Sequence, residues 1–286
     1  MNSAGPLLLA GGGHSHALLL KRWAMQPRLR PDRLIVLINR CSTALYSGMV
    51  PGLIAGVYQR NELAIDLRQL CDRAGVAFMA AEIQGLEPGQ QLLHLHGRPS
   101  LHYGWLSLDV GAISRTGAAG IPIKPLEPAL AFLDQQSGSD PQPFRVIGAG
   151  AAGVEVVLAL RRRWPQRPLQ LQVRPGQLPD ALQHILQGAE VAVIQNEVPW
   201  EGPSLLCTGS RGPAWLANSG LPVNEHGRVQ TDQYLQVKST PRVFASGDCA
   251  VISTEPRPAS GVWAVRAGRP LAENLEAACQ GRPLRP

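Results

Sequence analysis

Phe144-Arg145-Val146-Ile147-Gly148-Ala149-Gly150-Ala151-Ala152-Gly153-Val154-Glu155 is a short apolar strand running into a Gly-x-Gly-x-x-Gly turn, with the helix-forming run Val156 to Leu160 directly behind it. Each glycine has a physical task. Gly148 permits the tight turn, Gly150 lets the backbone approach a pyrophosphate, and Gly153 lets the new helix pack closely on the sheet. Unpaired N–H groups and the positive end of the helix dipole then favour phosphate at the helix N-terminus, here over Ala151 and Ala152. A bare glycine turn is a weak signal; flanked by strand and helix, it reads as a dinucleotide site.

The position of this turn is informative, because a protein holding one dinucleotide usually carries it near its N-terminus. Here the front holds a second candidate. Leu7-Leu8-Leu9-Ala10 runs into Gly11-Gly12-Gly13-His14-Ser15-His16, and an apolar helical run follows from Ala17 to Trp23. This turn is irregular, since His16 stands where the third small residue is expected. The next strand, Leu34 to Arg40, is apolar throughout, as buried parallel strands are. It ends on Asn39, where a carboxylate for an adenine ribose is usual, and an amide there gives up charge assistance worth on the order of 1 kcal/mol. In the second unit Leu169-Gln170-Leu171-Gln172-Val173 ends on Arg174. A cation there can meet a 2′-phosphate, or can simply sit exposed before the Pro175-Gly176 turn.

Composition bounds the alternatives. The chain has 286 residues, 44% hydrophobic and 17% charged, which describes a globular chain of one or two domains. A net charge of +6 and a pI near 9.4 raise the question of nucleic acid. No motif or aromatic platform supports that partner, and the one dense basic run, Arg161-Arg162-Arg163, reads as a solvated helix C-terminal cap. No apolar run approaches the ~20 residues of a membrane span, so a soluble, cytoplasmic protein with at most peripheral membrane contact is expected. The cysteines Cys41, Cys71, Cys207, Cys249 and Cys279 are scattered without a close pair, which argues against a dithiol site, zinc or a disulfide framework. His94 and His96 share one strand face, and a half-exposed strand explains them better than a metal.

The remaining elements follow from pattern. A helix is expected over Leu63 to Ala74, closed by Gly75, then a strand from Val76 to Ala80 and a hairpin turned at Pro88-Gly89. Further strands are expected at Leu106 to Gly111, Val191 to Ile194, Ser204 to Gly209, Val229 to Thr231 and Arg242 to Ala250, with a short helix over Leu182 to Leu186 and a final one over Ser260 to Leu275. The segment between Arg174 and Ser204 is lean for the elements it must hold.

Taken together, these motifs resemble the two-dinucleotide flavoproteins of the pyridine nucleotide-disulfide oxidoreductase superfamily. A narrower similarity is to NADH dehydrogenase-like flavoproteins, including the module fused ahead of selenide, water dikinase. It is carried by Gly11 to His16, by Tyr46-Ser47-Gly48-Met49-Val50-Pro51-Gly52 and by Gly261-Val262-Trp263-Ala264-Val265-Arg266. The resemblance implies an α/β fold of two Rossmann-like domains: an FAD domain over 1–117 and 235–286, interrupted by a short NAD(P) domain over 118–234. It implies that FAD contacts Gly11, Gly12, Gly13, His14, Ser15, Asn39, Arg40, Tyr46, Ser47, Gly48, Pro51 and Ile83. Asp109-Val110-Gly111 and Cys207-Thr208-Gly209 look like the two strand-end turns of the family. In Phe244-Ala245-Ser246-Gly247-Asp248 the carboxylate would bond the ribityl chain and Gly247 would allow close approach. Val262, Trp263 and Ala264 would aim a helix N-terminus at the flavin ring. NADH or NADPH would lie on Gly148, Gly150, Ala151, Ala152 and Gly153, with Glu155 placing the nicotinamide end.

The implied activity is transfer of electrons from NAD(P)H through FAD to a quinone or other small acceptor. With no paired cysteines, the flavin itself would deliver them, and no side-chain general acid or base is named. A homodimer, or fusion or association with another enzyme, is compatible with the resemblance. The contrasting expectation, carried by His16, Asn39 and Arg174, is a degenerate flavoprotein-like scaffold or regulatory module, with selenium metabolism as the setting the resemblance suggests.

Overall fold

The computed structural model describes residues 5–115, 120–196 and 199–286. The chain forms two compact units, one comprising 1–45, 64–112 and 211–286, the other 46–63 and 113–210. The division differs from the sequence expectation in two places. Residues 211–234 belong to the first unit, because strand Val229–Thr231 pairs in parallel with Ala250–Ile252. Residues 46–63 cluster with the second unit, where the short helix Val50–Ile54 packs on the helix Ala151–Arg163. The expected boundary at 117/118 lies outside the described residues.

The first unit is built on a five-stranded parallel sheet. Its spatial order is Val243–Ala245, Trp105–Leu108, Leu7–Ala10, Ile35–Asn39, Ala77–Ala80. Leu7 to Ala10 are wholly buried, as the continuous apolar run requires of a central parallel strand. Helices His14–Met25 and Gly261–Cys279 pack against each other on one face, where Leu19, Leu20, Trp23, Leu271 and Leu275 join one apolar cluster. Each such buried side chain contributes about 1.5–3 kcal/mol relative to exposure. The hairpin Ile83–Glu87 with Leu92–Leu95 closes the opposite face, turning at Pro88-Gly89 as expected. The helix expected from Leu63 begins only at Leu67, because the Asp66 carboxylate accepts from Gln69 N–H and fixes the start there; Gly75 ends it in the left-handed region.

The second unit repeats the plan. Its parallel sheet runs Ile121–Pro122, Ser204–Leu206, Phe144–Ile147, Leu169–Gln172, Val191–Ile194. Among its described residues, the lean segment after Arg174 holds one helix, Asp180–Gly188, and one strand, Val191–Ile194. Arg161 departs from a solvated cap: its guanidinium donates to the carbonyls of Trp164, Pro165, Arg167, Ala189 and Glu190, gathering the helix C-terminus and the following loop.

Candidate functional site

Both glycine turns sit at the C-terminal ends of central parallel strands, the place where open α/β sheets bind ligands. Their surroundings differ. In the second turn Gly150 is the N-cap of helix Ala151–Arg163 with no side-chain cap, and Gly150, Ala151 and Ala152 are exposed. A Cβ on Gly153 would collide with the Gly148 carbonyl oxygen, whereas one on Gly150 would meet open space. The helix end is thus tightly seated on the strand and uncovered toward solvent, which suits a phosphate. Glu155 is exposed one turn into this helix, Arg174 is exposed at the end of Leu169–Gln172, and Gly209 follows strand Ser204–Leu206 in the left-handed region.

At the first turn an internal carboxyl group already occupies the helix end. The Asp109 carboxylate, 2% exposed, accepts from His16 N–H at 3.0 Å and from Ser15 N–H, the first-turn donors of helix His14–Met25. A Cβ on Gly13 or on Gly247 would collide with that carboxylate. Gly12 N–H donates to Asn39 Oδ1 at 3.0 Å, and Gly13 N–H to the Asp109 carbonyl at 3.1 Å. Asn39 Nδ2 donates in turn to Cys41 O at 2.7 Å, so the amide braces the loop. The Ser15 hydroxyl is likewise engaged, donating to the Ala264 carbonyl at 2.8 Å. Burial pushes the Asp109 carboxyl up to about 7, helped by the nearby Asp248 and opposed by the two backbone donors.

His16 explains how an oversized residue occupies the third position. Its ring is fully buried, with Nδ1 2.7 Å from the Gly11 carbonyl and Nε2 2.8 Å from Ser107 Oγ. A carbonyl only accepts, so Nδ1 carries the proton and Nε2 accepts from the serine hydroxyl. Burial lowers its pKa to about 4 and keeps the ring neutral. Where a glycine would bring the helix onto the strand directly, an imidazole bridges the gap.

The structure groups the expected contacts by unit. Gly11, Gly12, Gly13, His14, Ser15, Asn39, Arg40, Ile83, Asp109, Gly111, Gly247, Asp248, Val262, Trp263 and Ala264 lie in the first unit. Tyr46, Ser47, Gly48 and Pro51, expected with them in the FAD domain, cluster instead with Gly148, Gly150, Ala151, Ala152, Gly153, Glu155, Arg174 and Gly209. Ile83 packs against the apolar cluster beneath the hairpin, and Arg40 is exposed. The final helix opens with Val262 exposed, Ala264 buried and two guanidiniums near the Trp263 ring, Arg257 at 3.7 Å and Arg266 at 4.8 Å. Beside it lies a cavity of about 410 Å³ bordered by Ser246, Val251, Arg257, Trp263 and Pro270. Sequence reading missed that cavity, because its wall joins segments with no shared motif. It also missed Ser107, whose only signal was a polar residue inside a buried strand.

All five cysteines are free; Cys71, Cys207 and Cys249 are buried with pKa values pushed up to about 12, Cys279 to about 11. Among the described residues no cluster of three metal-ligating side chains occurs, and no helix is long and apolar enough to cross a membrane. His94 bonds Ser100 and Glu87, and His96 bonds Gln84, within the hairpin and its neighbouring strand.

Two parallel sheets, each turning through glycines into a helix, define an α/β protein of two Rossmann-like units. Residues 204–268 match the family model described as pyridine nucleotide-disulphide oxidoreductase. The alternative NAD(P)H-ubiquinone oxidoreductase C1 of Arabidopsis thaliana is 22% identical, covering 88% of this chain and 63% of the plant protein, so this chain spans less than two thirds of that relative. The demethylphylloquinone reductase NdbB of Synechocystis is 23% identical over 96% of this chain and 80% of its own. Among solved structures, the ferredoxin reductase for the CYP199A2 system of Rhodopseudomonas palustris superposes with a TM-score of 0.82, at 18% identity, over 99% of this chain and 77% of that one. The chain is similar, in residues 204–268 and across its fold, to the pyridine nucleotide-disulphide oxidoreductases.

Proposed function

We propose that this protein is an FAD-dependent NAD(P)H oxidoreductase that passes electrons to a quinone or another small acceptor without a redox-active disulfide. The observation that carries the reading is the pairing of two nucleotide-type glycine turns, one per unit, with four of the five cysteines buried and held as thiols. The second turn suits the pyrophosphate of a nicotinamide nucleotide, with Gly150, Ala151 and Ala152 presenting backbone donors and Glu155 near the same helix end. In the first unit Asp248, Gly247 and the opening of the final helix fit a flavin. When bound, a flavin accepts a hydride and can release its electrons singly or in pairs. The chain's own part is to hold the nucleotides and to govern charge around them. Burial raises the Asp109 pKa well above the usual carboxylate range, which limits the negative charge that would oppose a pyrophosphate at helix His14–Met25.

The relatives named for quinone reduction support a quinone as the acceptor class. The test is direct: the purified chain is expected to carry or take up FAD, visible as flavin absorbance, and NADH or NADPH should bleach it anaerobically, with a soluble quinone restoring the colour. A protein that stays colourless in excess FAD overturns the reading. A second reading, a flavoprotein-like scaffold without turnover, is favoured by one observation, the Asp109 carboxylate lodged at the first helix end.

A further inference from the structure

We infer that the second unit selects a 2′-phosphorylated nicotinamide nucleotide, NADPH over NADH, with Arg174 as the residue that sets the preference. The inference rests on the proposal that this unit binds a nicotinamide nucleotide, and it adds which one.

In a fold of this kind the adenine ribose lies by the end of the second strand, so the side chain there decides what the 2′ position can carry. Here that strand is Leu169–Gln172, paired in parallel with Phe144–Ile147, the strand that leads into Gly148. No acidic residue occurs from Leu169 to Pro179. A carboxylate that would bond both ribose hydroxyls, and repel a 2′-phosphate, is therefore missing from the place where NADH-selective sites put it.

Gln172 is no substitute. Its Oε1 accepts from Arg145 Nη1 at 3.0 Å, and Arg145 is in turn bonded to Gln170 and stacked 4.0 Å from the Trp200 ring. The amide is thereby held by a buried cation and is not available to replace a ribose-binding carboxylate.

Arg174 is held where a phosphate could be met. Gln177 N–H donates to the Arg174 carbonyl at 3.2 Å across Pro175 and Gly176, and Gly176 has φ +74°, so a tight turn fixes the backbone at Arg174. The side chain is exposed, and the neighbouring helix end at Gly150, Ala151 and Ala152 adds positive potential with no capping side chain. A guanidinium in such a setting can form paired, charge-assisted hydrogen bonds to phosphate, which a ribose hydroxyl cannot match.

The test separates this preference from the flavin chemistry. The full chain is titrated with adenosine 2′,5′-bisphosphate and with adenosine 5′-diphosphate, followed by calorimetry. The bisphosphate is expected to bind at least about tenfold more tightly, Arg174→Glu to abolish that advantage, and Arg174→Lys to retain part of it. Equal binding of the two ligands, or an advantage that survives Arg174→Glu, overturns the assignment while leaving a nicotinamide site intact. Absence of binding by either ligand overturns both the assignment and the reading it rests on.

Discussion

The backbone N–H of His16 donates to Asp109 Oδ2 at 3.0 Å while the same residue's ring is sealed beneath the turn, so one helical position joins a raised carboxyl to a depressed imidazole. Folding moves the proton between them. Asp109 rises from 3.8 to about 7, so its contribution to stability is present below 3.8 and is lost as pH rises through about 7. His16 falls from 6.5 to about 4, so its contribution is present above 6.5 and is lost as pH falls toward about 4. Between about pH 4 and 6.5 the unfolded chain carries one proton on the imidazole and the folded chain one on the carboxyl. The two slopes cancel there, and stability declines only above that window. Asp109→Asn uncovers the histidine: stability then rises with pH across the window by about 1.4 kcal/mol per unit. Urea unfolding over a pH series checks this, and an Asp109→Asn profile parallel to the parent would refute it.

The same carboxylate bears on ligand binding. Above about pH 7 its charge, at the helix end and beside Asp248, opposes an incoming pyrophosphate. Asp109→Asn is expected to tighten FAD binding at alkaline pH by on the order of tenfold, with a smaller gain at acid pH. Flavin fluorescence quenching measures it. A gain equal at both pH values would disconnect Asp109 from the effect.

How much of this was readable beforehand differs between the two turns. The regular fingerprint at Gly148, Gly150 and Gly153 specified strand, turn and helix, because Gly148 and Gly153 answer local steric demands that the structure reproduces, while Gly150 keeps the helix end open. The front turn kept its strand and helix but concealed its chemistry. That His16 could be accommodated depends on Ser107, 91 residues away, and the internal carboxyl is that of Asp109, 93 residues away. No local pattern announces such a contact. Arg161 makes the same point: a basic run at a helix end suggests solvation, yet the carbonyls it gathers come from a loop whose path only the fold determines.

If electrons leave without a dithiol, thiol chemistry should be irrelevant to turnover. Cys41 alone is exposed, while the other four are buried and held protonated. Native protein is expected to react with an alkylating reagent at Cys41 and to keep its nicotinamide-driven flavin bleaching, whereas unfolded protein should react at all five. Mass spectrometry counts the adducts. Loss of bleaching on modification of native protein would restore a cysteine to the mechanism.

The second turn offers a contrast within five residues. A methyl on Gly153 meets the Gly148 carbonyl, a backbone atom that cannot step aside without moving the strand end. Gly153→Ala should therefore cost about 1–3 kcal/mol of stability and nucleotide affinity with it. Gly150 has ordinary extended backbone angles and nothing near its added Cβ, so the fold tolerates alanine there. A ligand does not, because the methyl stands where phosphate must approach the uncapped helix end. Gly150→Ala is expected to keep the parent's melting temperature and lose nucleotide affinity by about tenfold or more. Thermal melts beside calorimetric titration separate the two effects. Unchanged affinity in Gly150→Ala would mean that the phosphates do not use this helix end, and the binding surface of the second unit would have to be sought elsewhere.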